Sequence, residues 1–425
     1  MRAAVALAVL GALTSCKGSS SSPSPTGAAP PLVPSVAAAT TPMPSKAMVE
    51  GGSLRPHKEE PVIDCPAVIA DTVDDEGRVA LLLDEANRQI EKAAYGAAWT
   101  CADRAADLTP TSVEAHHLRG AALAALGRDA DAQMAYSLAL ALDPDDPETL
   151  RAVADFFING KGERGRDALR LGLELAQRGS RRAQARRRRN PPLAADLAVL
   201  EAQALNDLGR SDEALSRVES ALRIAPGRGD ALHEKGVALF DLSRFPDAKA
   251  AFTKALAIQP DDAYTHQMLG LTLEQLGDIK TADAELGRAL VLAPTELSAP
   301  ILISVGEFQK EIDLVVSGLP VERRTRVQSI KIEISDLPDP SDLAAVKPPF
   351  PPTILGLYRG PVGHAPHLPP LAGEEAPSIV LYRKNLARAV KTRRELSEQI
   401  RDTLLHEVGH LEGLDEDDLR RRGME

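Results

Sequence analysis

The sequence predicts a mainly α protein: a helical solenoid followed by a small α+β domain. Three observations predict it. The 425 residues are 44% hydrophobic but only 3% aromatic, so the cores have to be built from Ala and Leu, and such a chain is mostly helical. Prolines recur 34 residues apart, from Pro110 to Pro144 and again through Pro226, Pro260 and Pro294, which marks one unit repeated. After Pro300 the repeat stops, and short alternating segments lead to a last helical stretch, DTLLHEVGHLEGLDEDDL at 402–419. The length allows two or three domains. The chain divides into 1–16, 17–75, 76–300 and 301–425.

The opening MRAAVALAVLGALTSC has one Arg, an apolar run at 3–13 and small residues before Cys16. The run is too short to span a bilayer and has the layout of a secretory signal. LTSC resembles the bacterial lipobox. That resemblance implies cleavage before Cys16, lipidation of its thiol and a membrane anchor. Lys17 stands where Asp would imply inner-membrane retention, so an outer-membrane lipoprotein facing the periplasm is expected. Residues 17–75 open with a Ser/Pro/Ala-rich stretch that has too little apolar surface to fold, and form a disordered linker. An exported chain meets an oxidising space. Cys65 and Cys101 are then either a disulfide or two separate thiols, since sequence alone does not fix their separation.

The middle segment justifies the solenoid. VEAHHLRGAALAALGRDADAQMAYSLALALDPDD carries Gly120, Ala132, Tyr136, Ala139 and Pro144. ALHEKGVALFDLSRFPDAKAAFTKALAIQPDD repeats the pattern with Gly236, Ala248, Phe252, Ala255 and Pro260, and the next unit with Gly270, Ala282, Ala289 and Pro294. Small residues let two helices approach, and the proline ends the second. These units resemble tetratricopeptide repeats. About six are expected, two of them imperfect, with Ala86 and Ala202 where Gly is usual, and with an insertion, GKGERG, in the stretch 147–180. The resemblance implies a concave face, lined by the first helix of each pair, that binds a protein or peptide partner. The repeat register places His233, Phe240, Tyr264, Gln267 and Glu274 there. Trp99, the only Trp, falls on a second helix and belongs to the core. The run RRAQARRRRN at 181–190 reads as a solvated loop, with contact to an anionic surface as the alternative. No aromatics are interleaved with it and the net charge is −11, which speaks against nucleic acid.

In the last segment, EFQKEIDLVVSGLPVERRTRV is an amphipathic helix broken at Gly-Leu-Pro. QSIKIEISDLPD alternates Ile330, Ile332 and Ile334 with polar residues, as a half-buried strand does. TILGLYRG and SIVLYRKNLARAV supply two more strands. RRELSEQIRDTLLHEVGHLEGL is helical, with Leu396, Ile400, Leu404, Val408 and Leu411 at three- and four-residue spacing. His406 and His410, four apart, project from one face, as two ligands of a metal must. Glu407 lies beside them, where a general base holds a water, and Gly413 permits a sharp return of the chain.

LGLYRG, SIVLYRKNL and TLLHEVGHLEGLDEDDL occur in the order seen in a small bacterial family of minimal, matrix-metalloprotease-like zinc metallopeptidases, and 307–425 resembles it. The resemblance implies a zincin-like α+β fold and a motif of HExxHxxGxxD form. It implies Zn2+ on His406 and His410, with Glu407 as base. The third-ligand position is Glu416 where the family has Asp, and Asp415 and Asp417 flank it, so the third ligand stays open among the three. Met424 lies where a Met turn or a frayed tail would fall. Tyr358, Tyr382, His364 and His367 are either carbonyl-polarising groups or packing and loop residues. Two functions follow: a zinc metalloendopeptidase whose repeats recruit its substrate, or a scaffold for an envelope complex carrying a metal-stabilised, weakly active domain.

Overall fold

The computed structural model describes residues 4–5, 64–67, 74–160, 165–185, 190–360, 378–414 and 416–421. A two-residue strand, β1 (Ala4–Val5), comes first. Twelve helices then form six antiparallel pairs: α1 (Asp75–Glu91) with α2 (Tyr95–Leu108), α3 (Val113–Ala125) with α4 (Asp129–Leu142), and α5 (Pro147–Asn159) with α6 (Arg166–Ala183). They continue with α7 (Pro191–Asp207) and α8 (Ser211–Ile224), α9 (Gly229–Asp241) and α10 (Phe245–Ile258), and α11 (Ala263–Gln275) and α12 (Ile279–Leu292). Each helix packs on its pair partner, and each of the first five pairs packs on the next, which is how a solenoid closes its core one repeat at a time.

The sequence forms these elements for local reasons. Asp74, Ser112, Asp146, Asn190 and Asp262 cap the first helices of five pairs, each side chain accepting a backbone N–H of the first turn. Close approach inside a pair needs the missing Cβ: at Gly120 it would stand 2.6 Å from the Tyr136 ring, and at Gly270 2.7 Å from Leu286. Ala86 and Ala202, in the same position of two other repeats, are fully buried and fill it with one methyl. Trp99 is half-buried against the cluster of Tyr136 and Phe156, with the Arg128 guanidinium 4.9 Å from its ring. Cys65 and Cys101 form a disulfide that ties the residues before α1 to α2.

The chain then enters the α+β part. A capping box of Ser304 and Glu307 starts α13 (Val305–Gly318), and Pro320 separates it from α14 (Val321–Gln328). Strand β2 (Lys331–Ser335) leads through α15 (Pro340–Leu343) to β3 (Gly356–Arg359). Strand β4 (Ser378–Tyr382) runs straight into α16 (Arg383–Arg388), and α17 (Arg393–Leu411) and α18 (Glu416–Arg421) follow. β4 is central, antiparallel to β3 and parallel to β2, with Tyr358 opposite Ile379 and Ile332 opposite the same residue on the other side. Val5 and Ala4 pair antiparallel with Tyr358 and Arg359 at the outer edge of β3.

All five residues of β4 are buried, because both faces of the sheet are covered. Tyr358, Ile379 and Leu381 face Phe308 and Ile312 of α13 and Leu396, Ile400, Leu404 and Val408 of α17. Leu357, Val380 and Tyr382 face the other way, joining Leu343 and Ile354 and, from the solenoid, Leu239, Phe240, Phe245, Leu269 and Leu273 in one apolar cluster. The last two repeats are therefore continuous with the core of the α+β part.

Candidate metal centre

Helix α17 builds the site. Thr392 caps it by accepting the Glu395 N–H, and Leu396, Ile400, Leu404 and Val408 form the stripe that fixes its rotation on the sheet. That rotation buries His406, Glu407 and His410 completely or nearly so. Buried polar groups need partners, and these have them. The Nε2 atoms of His406 and His410 converge to 3.0 Å. The Nδ1 of His410 lies 3.0 Å from the Leu414 carbonyl, which can only accept, so that nitrogen carries the proton and Nε2 presents its lone pair. The Glu407 carboxylate accepts the Tyr358 backbone N–H at 2.7 Å, tying helix to strand.

Close approach makes this possible. A Cβ on Gly356 would stand 2.6 Å from Thr403 Cγ2 and 3.5 Å from Glu407 Cγ, so β3 can lie against this turn of α17 only because position 356 is bare. At Gly409 a Cβ would collide with Leu419, the buried residue by which α18 packs back onto α17. Gly413, with φ 83°, makes the reversal between the two helices. The sequence carried the two histidines, Glu407 and this turn. It did not reveal the Tyr358 N–H or the Leu414 carbonyl, since backbone groups leave no mark on residue type; Gly356 in LGLYRG was the available signal.

The pair of imidazoles fits a zinc ion. Two nitrogens bonded to a tetrahedral zinc at about 2.0–2.1 Å stand roughly 3.3 Å apart, close to the spacing observed here. Among the described residues no group of three His, Cys, Asp or Glu side chains converges. Asp415 and the side chains of Glu416 and Asp417 lie outside those residues, as do Cys16, His364, His367 and Met424. The return of α18 brings its first residue, Glu416, three positions beyond the Gly413 turn.

The two tyrosines are packing residues in part. Tyr358 is buried against α17, and burial pushes its hydroxyl up to about 12. Tyr382 faces away from the histidines, and its hydroxyl donates to Asp342 at 3.1 Å, an acceptor shared with Arg359. Burial, and then the Asp342 charge beside it, raise its pKa further.

Of the five residues assigned to the concave face, the structure leaves three within reach of a partner. Tyr264 is exposed and donates to Glu296 at 2.6 Å, Gln267 is half-buried, and half-buried His233 is 2.7 Å from the Thr265 hydroxyl. Burial lowers the His233 pKa. Phe240 and Glu274 correct that assignment. Phe240 is 2% exposed, edge-on to Phe245 in the shared core. Glu274 is buried and taken up by the chain itself, with Lys384 Nζ at 2.9 Å and Arg388 Nη2 at 2.5 Å, both on α16. Register alone could not show that the α+β part would occupy this end of the groove.

Comparison with known proteins agrees with this division. The family model for zincin-like metallopeptidases matches residues 327–424, and a tetratricopeptide-repeat model matches 205–271. No curated protein matches the chain. Among solved structures, PilF of Pseudomonas aeruginosa is 13% identical, with a TM-score of 0.44, covering 52% of this chain and 94% of its own. PilW, a type IV pilus biogenesis factor, is 15% identical with a TM-score of 0.44, covering 51% and 94%. YrrB, described as a TPR protein with an unusual peptide-binding site, is 15% identical with a TM-score of 0.34, covering 46% and 93%. The chain carries a tetratricopeptide-repeat region and, behind it, a C-terminal zincin-like metallopeptidase domain.

Proposed function

We propose that this protein is a zinc-dependent metalloendopeptidase, anchored in a bacterial envelope through lipidated Cys16, whose repeats recruit a protein substrate or partner. The observation that carries the reading is the convergence of the His406 and His410 Nε2 atoms at 3.0 Å, with Glu407 between them in sequence and the His410 tautomer set by Leu414. His406 and His410 would hold the zinc, with Glu416, or Asp415 or Asp417 beside it, as third ligand. When bound, zinc supplies a Lewis acid that polarises a water and the scissile carbonyl. Glu407 accepts the proton of the attacking water at its carboxylate and passes it to the leaving amine. The Tyr358 N–H holds that carboxylate in one orientation throughout, and the closed apolar floor of Leu404 and Val408 keeps bulk water from beneath it. An extended substrate fits the outer edge of β3, the edge on which Ala4–Val5 pairs; a chain cleaved at Cys16 leaves that edge vacant.

The scaffold reading is favoured by one observation, Glu416 at the position where the resembling family has Asp. Metal analysis and hydrolysis of casein by the full chain separate the two. The peptidase reading expects about one zinc per chain, lost in His406→Ala, and hydrolysis abolished in Glu407→Gln with zinc retained. A zinc-free chain from metal-replete buffer, or a Glu407→Gln variant that still cleaves, overturns it. Zinc without any cleavage leaves the scaffold. Anchoring is tested separately by radiolabelled palmitate, whose incorporation Cys16→Ser should abolish.

A further inference from the structure

Two imidazoles on first helices of the solenoid are held in the same way. His117 on α3 and His233 on α9 stand seven residues after Pro110 and Pro226. Each reaches across to the next repeat: His117 Nδ1 lies 3.1 Å from the Thr149 hydroxyl, and His233 Nδ1 lies 2.7 Å from that of Thr265. Each hydroxyl in turn donates to a carboxylate, Thr149 to Asp146 at 2.7 Å and Thr265 to Asp262. A hydroxyl has one proton, so a threonine that donates to Asp accepts from the ring, and Nδ1 carries the imidazole proton. Burial lowers His117 to about 4 and also lowers His233, so both rings are neutral at pH 7 and Nε2 presents a lone pair. The rings are seated alike, edge-on to Tyr136 and Phe252 of the second helices. His116 and His266, at another register position, differ: their Nε2 atoms bond the carbonyls of Pro110 and Pro260. Among the described residues nothing bonds the Nε2 of His117 or His233, and neither atom is sealed from solvent.

We infer that His117 and His233 accept hydrogen bonds from backbone N–H groups of an extended protein segment laid across the first helices of the solenoid. A lone pair selects a donor, and a neutral ring selects no charge. An extended chain offers an N–H at every residue but proline, so this recognition is independent of side-chain sequence. Arg151 and Gln267, half-buried at the same register position in two other repeats, supply donors for the segment's carbonyls. The first helices from α3 to α9 pack one on the next. At roughly 8–10 Å per step the two rings are separated by about 25–30 Å, the length of about eight extended residues. This deepens the recruiting role proposed for the solenoid and rests on that role, not on hydrolysis.

The test uses the full chain with Glu407→Gln, so that no probe is consumed, and fluorescein-labelled casein, an unfolded chain, as the probe. Affinity is read by fluorescence anisotropy at pH 7. His117→Phe with His233→Phe keeps two rings and removes both acceptors, and should weaken binding about ten-fold. His117→Gln with His233→Gln keeps an acceptor at each place and should bind nearly as the parent does. Bound casein should also slow carbethoxylation of His117 and His233 by diethyl pyrocarbonate, read by peptide mass spectrometry. A role confined to stapling neighbouring repeats predicts a lower melting temperature in both pairs, unchanged affinity and no protection. Unchanged affinity in the Phe pair, an equal loss in the Gln pair, or no binding of casein by the parent overturns the inference and leaves the peptidase reading standing. A chain without zinc or hydrolysis that still binds casein through His117 and His233 does the reverse.

Discussion

Glu234 and Asp241 place an opposing pH dependence inside the solenoid. Burial, with repulsion from Asp207, holds Glu234 up at about 8 and Asp241 at about 7, while hydrogen bonds from Asn206 and Ser211 only partly offset it. Asp230 adds a further repulsion on Glu234. Unfolded, these carboxyls ionise near 4. Between about pH 4 and 8 the folded state therefore keeps protons that the unfolded state has lost. Stability from these two groups is present at the acid end of that window and falls as pH rises through it. The usual carboxylate, paired with Arg, behaves oppositely; Asp230 beside Arg228 is one, its pKa lowered although burial pushes the other way. Glu234→Gln with Asp241→Asn should remove the decline, a relative gain on the order of 4 kcal/mol at pH 8 over pH 5, most of it from buried Glu234, after solvent screening of Asp241 is allowed for. Thermal melts of the two proteins at four pH values measure it. Parallel curves would mean that both carboxyls titrate normally.

At the scale of the helix pair, the repeat imposes one backbone requirement on residues that only partly suit it. The chain turns between the two helices through a left-handed residue: Ala93, Gly127, Gly209, Ser243 and Gly277, with φ between 56° and 78°. Glycine accepts this freely, whereas Ala93 and Ser243 carry a Cβ there at a cost of about 1 kcal/mol. Ser243 also buries its hydroxyl without a hydrogen-bond partner. Ser243→Gly should therefore stabilise the solenoid by about 1 kcal/mol, seen as a higher midpoint in urea at unchanged slope. No gain would show that the side chain compensates in some other way. The same regularity explains how much of the fold was legible. A period of 34 exposes the helix pairs because every repeat needs small residues, a turn and a terminator at fixed positions, and the stripe of α17 exposes His406 and His410 on one face. What stayed hidden depends on contacts between repeats and domain. Phe240 and Glu274 occupy positions that in an isolated solenoid face a groove, and nothing in their own repeat says that β3, β4 and α16 cover them. The Leu414 carbonyl and Tyr358 N–H were hidden for another reason, being backbone atoms.

At the scale of the whole molecule, the arrangement argues that the metallopeptidase domain is seated rather than tethered. Its sheet has two apolar faces. One carries α17, and the other, with Leu357, Val380 and Tyr382, is completed by α15, the turn before β3 and the last repeats. Separating 301–425 from the solenoid would expose Ile354, Leu357 and their neighbours, a patch that favours aggregation. The seat is keyed by charge. The Glu274 side chain is 2% exposed between Lys384 and Arg388, and a buried ion pair fixes one docking geometry more than it adds stability. Reversing one partner brings three cations together in a desolvated place, a cost of about 3–5 kcal/mol concentrated at the seat. Glu274→Lys should undock the domain. Chymotrypsin, which cuts after leucine, should then act at Leu297 or Leu302, between α12 and α13, and the scattering radius should increase. Lys384→Glu with Arg388→Glu added to Glu274→Lys should restore the intact pattern, because the reversed pair has the same complementarity. Rescue separates a charge key from simple misfolding, which a second and third substitution would deepen. If Glu274→Lys resists chymotrypsin as the parent does, the apolar cluster alone holds the domain. If it undocks and peptide hydrolysis falls with it, the repeats act on the metal site through α16 and β4. Tyr358 on the neighbouring strand is then the link that carries the seat to Glu407.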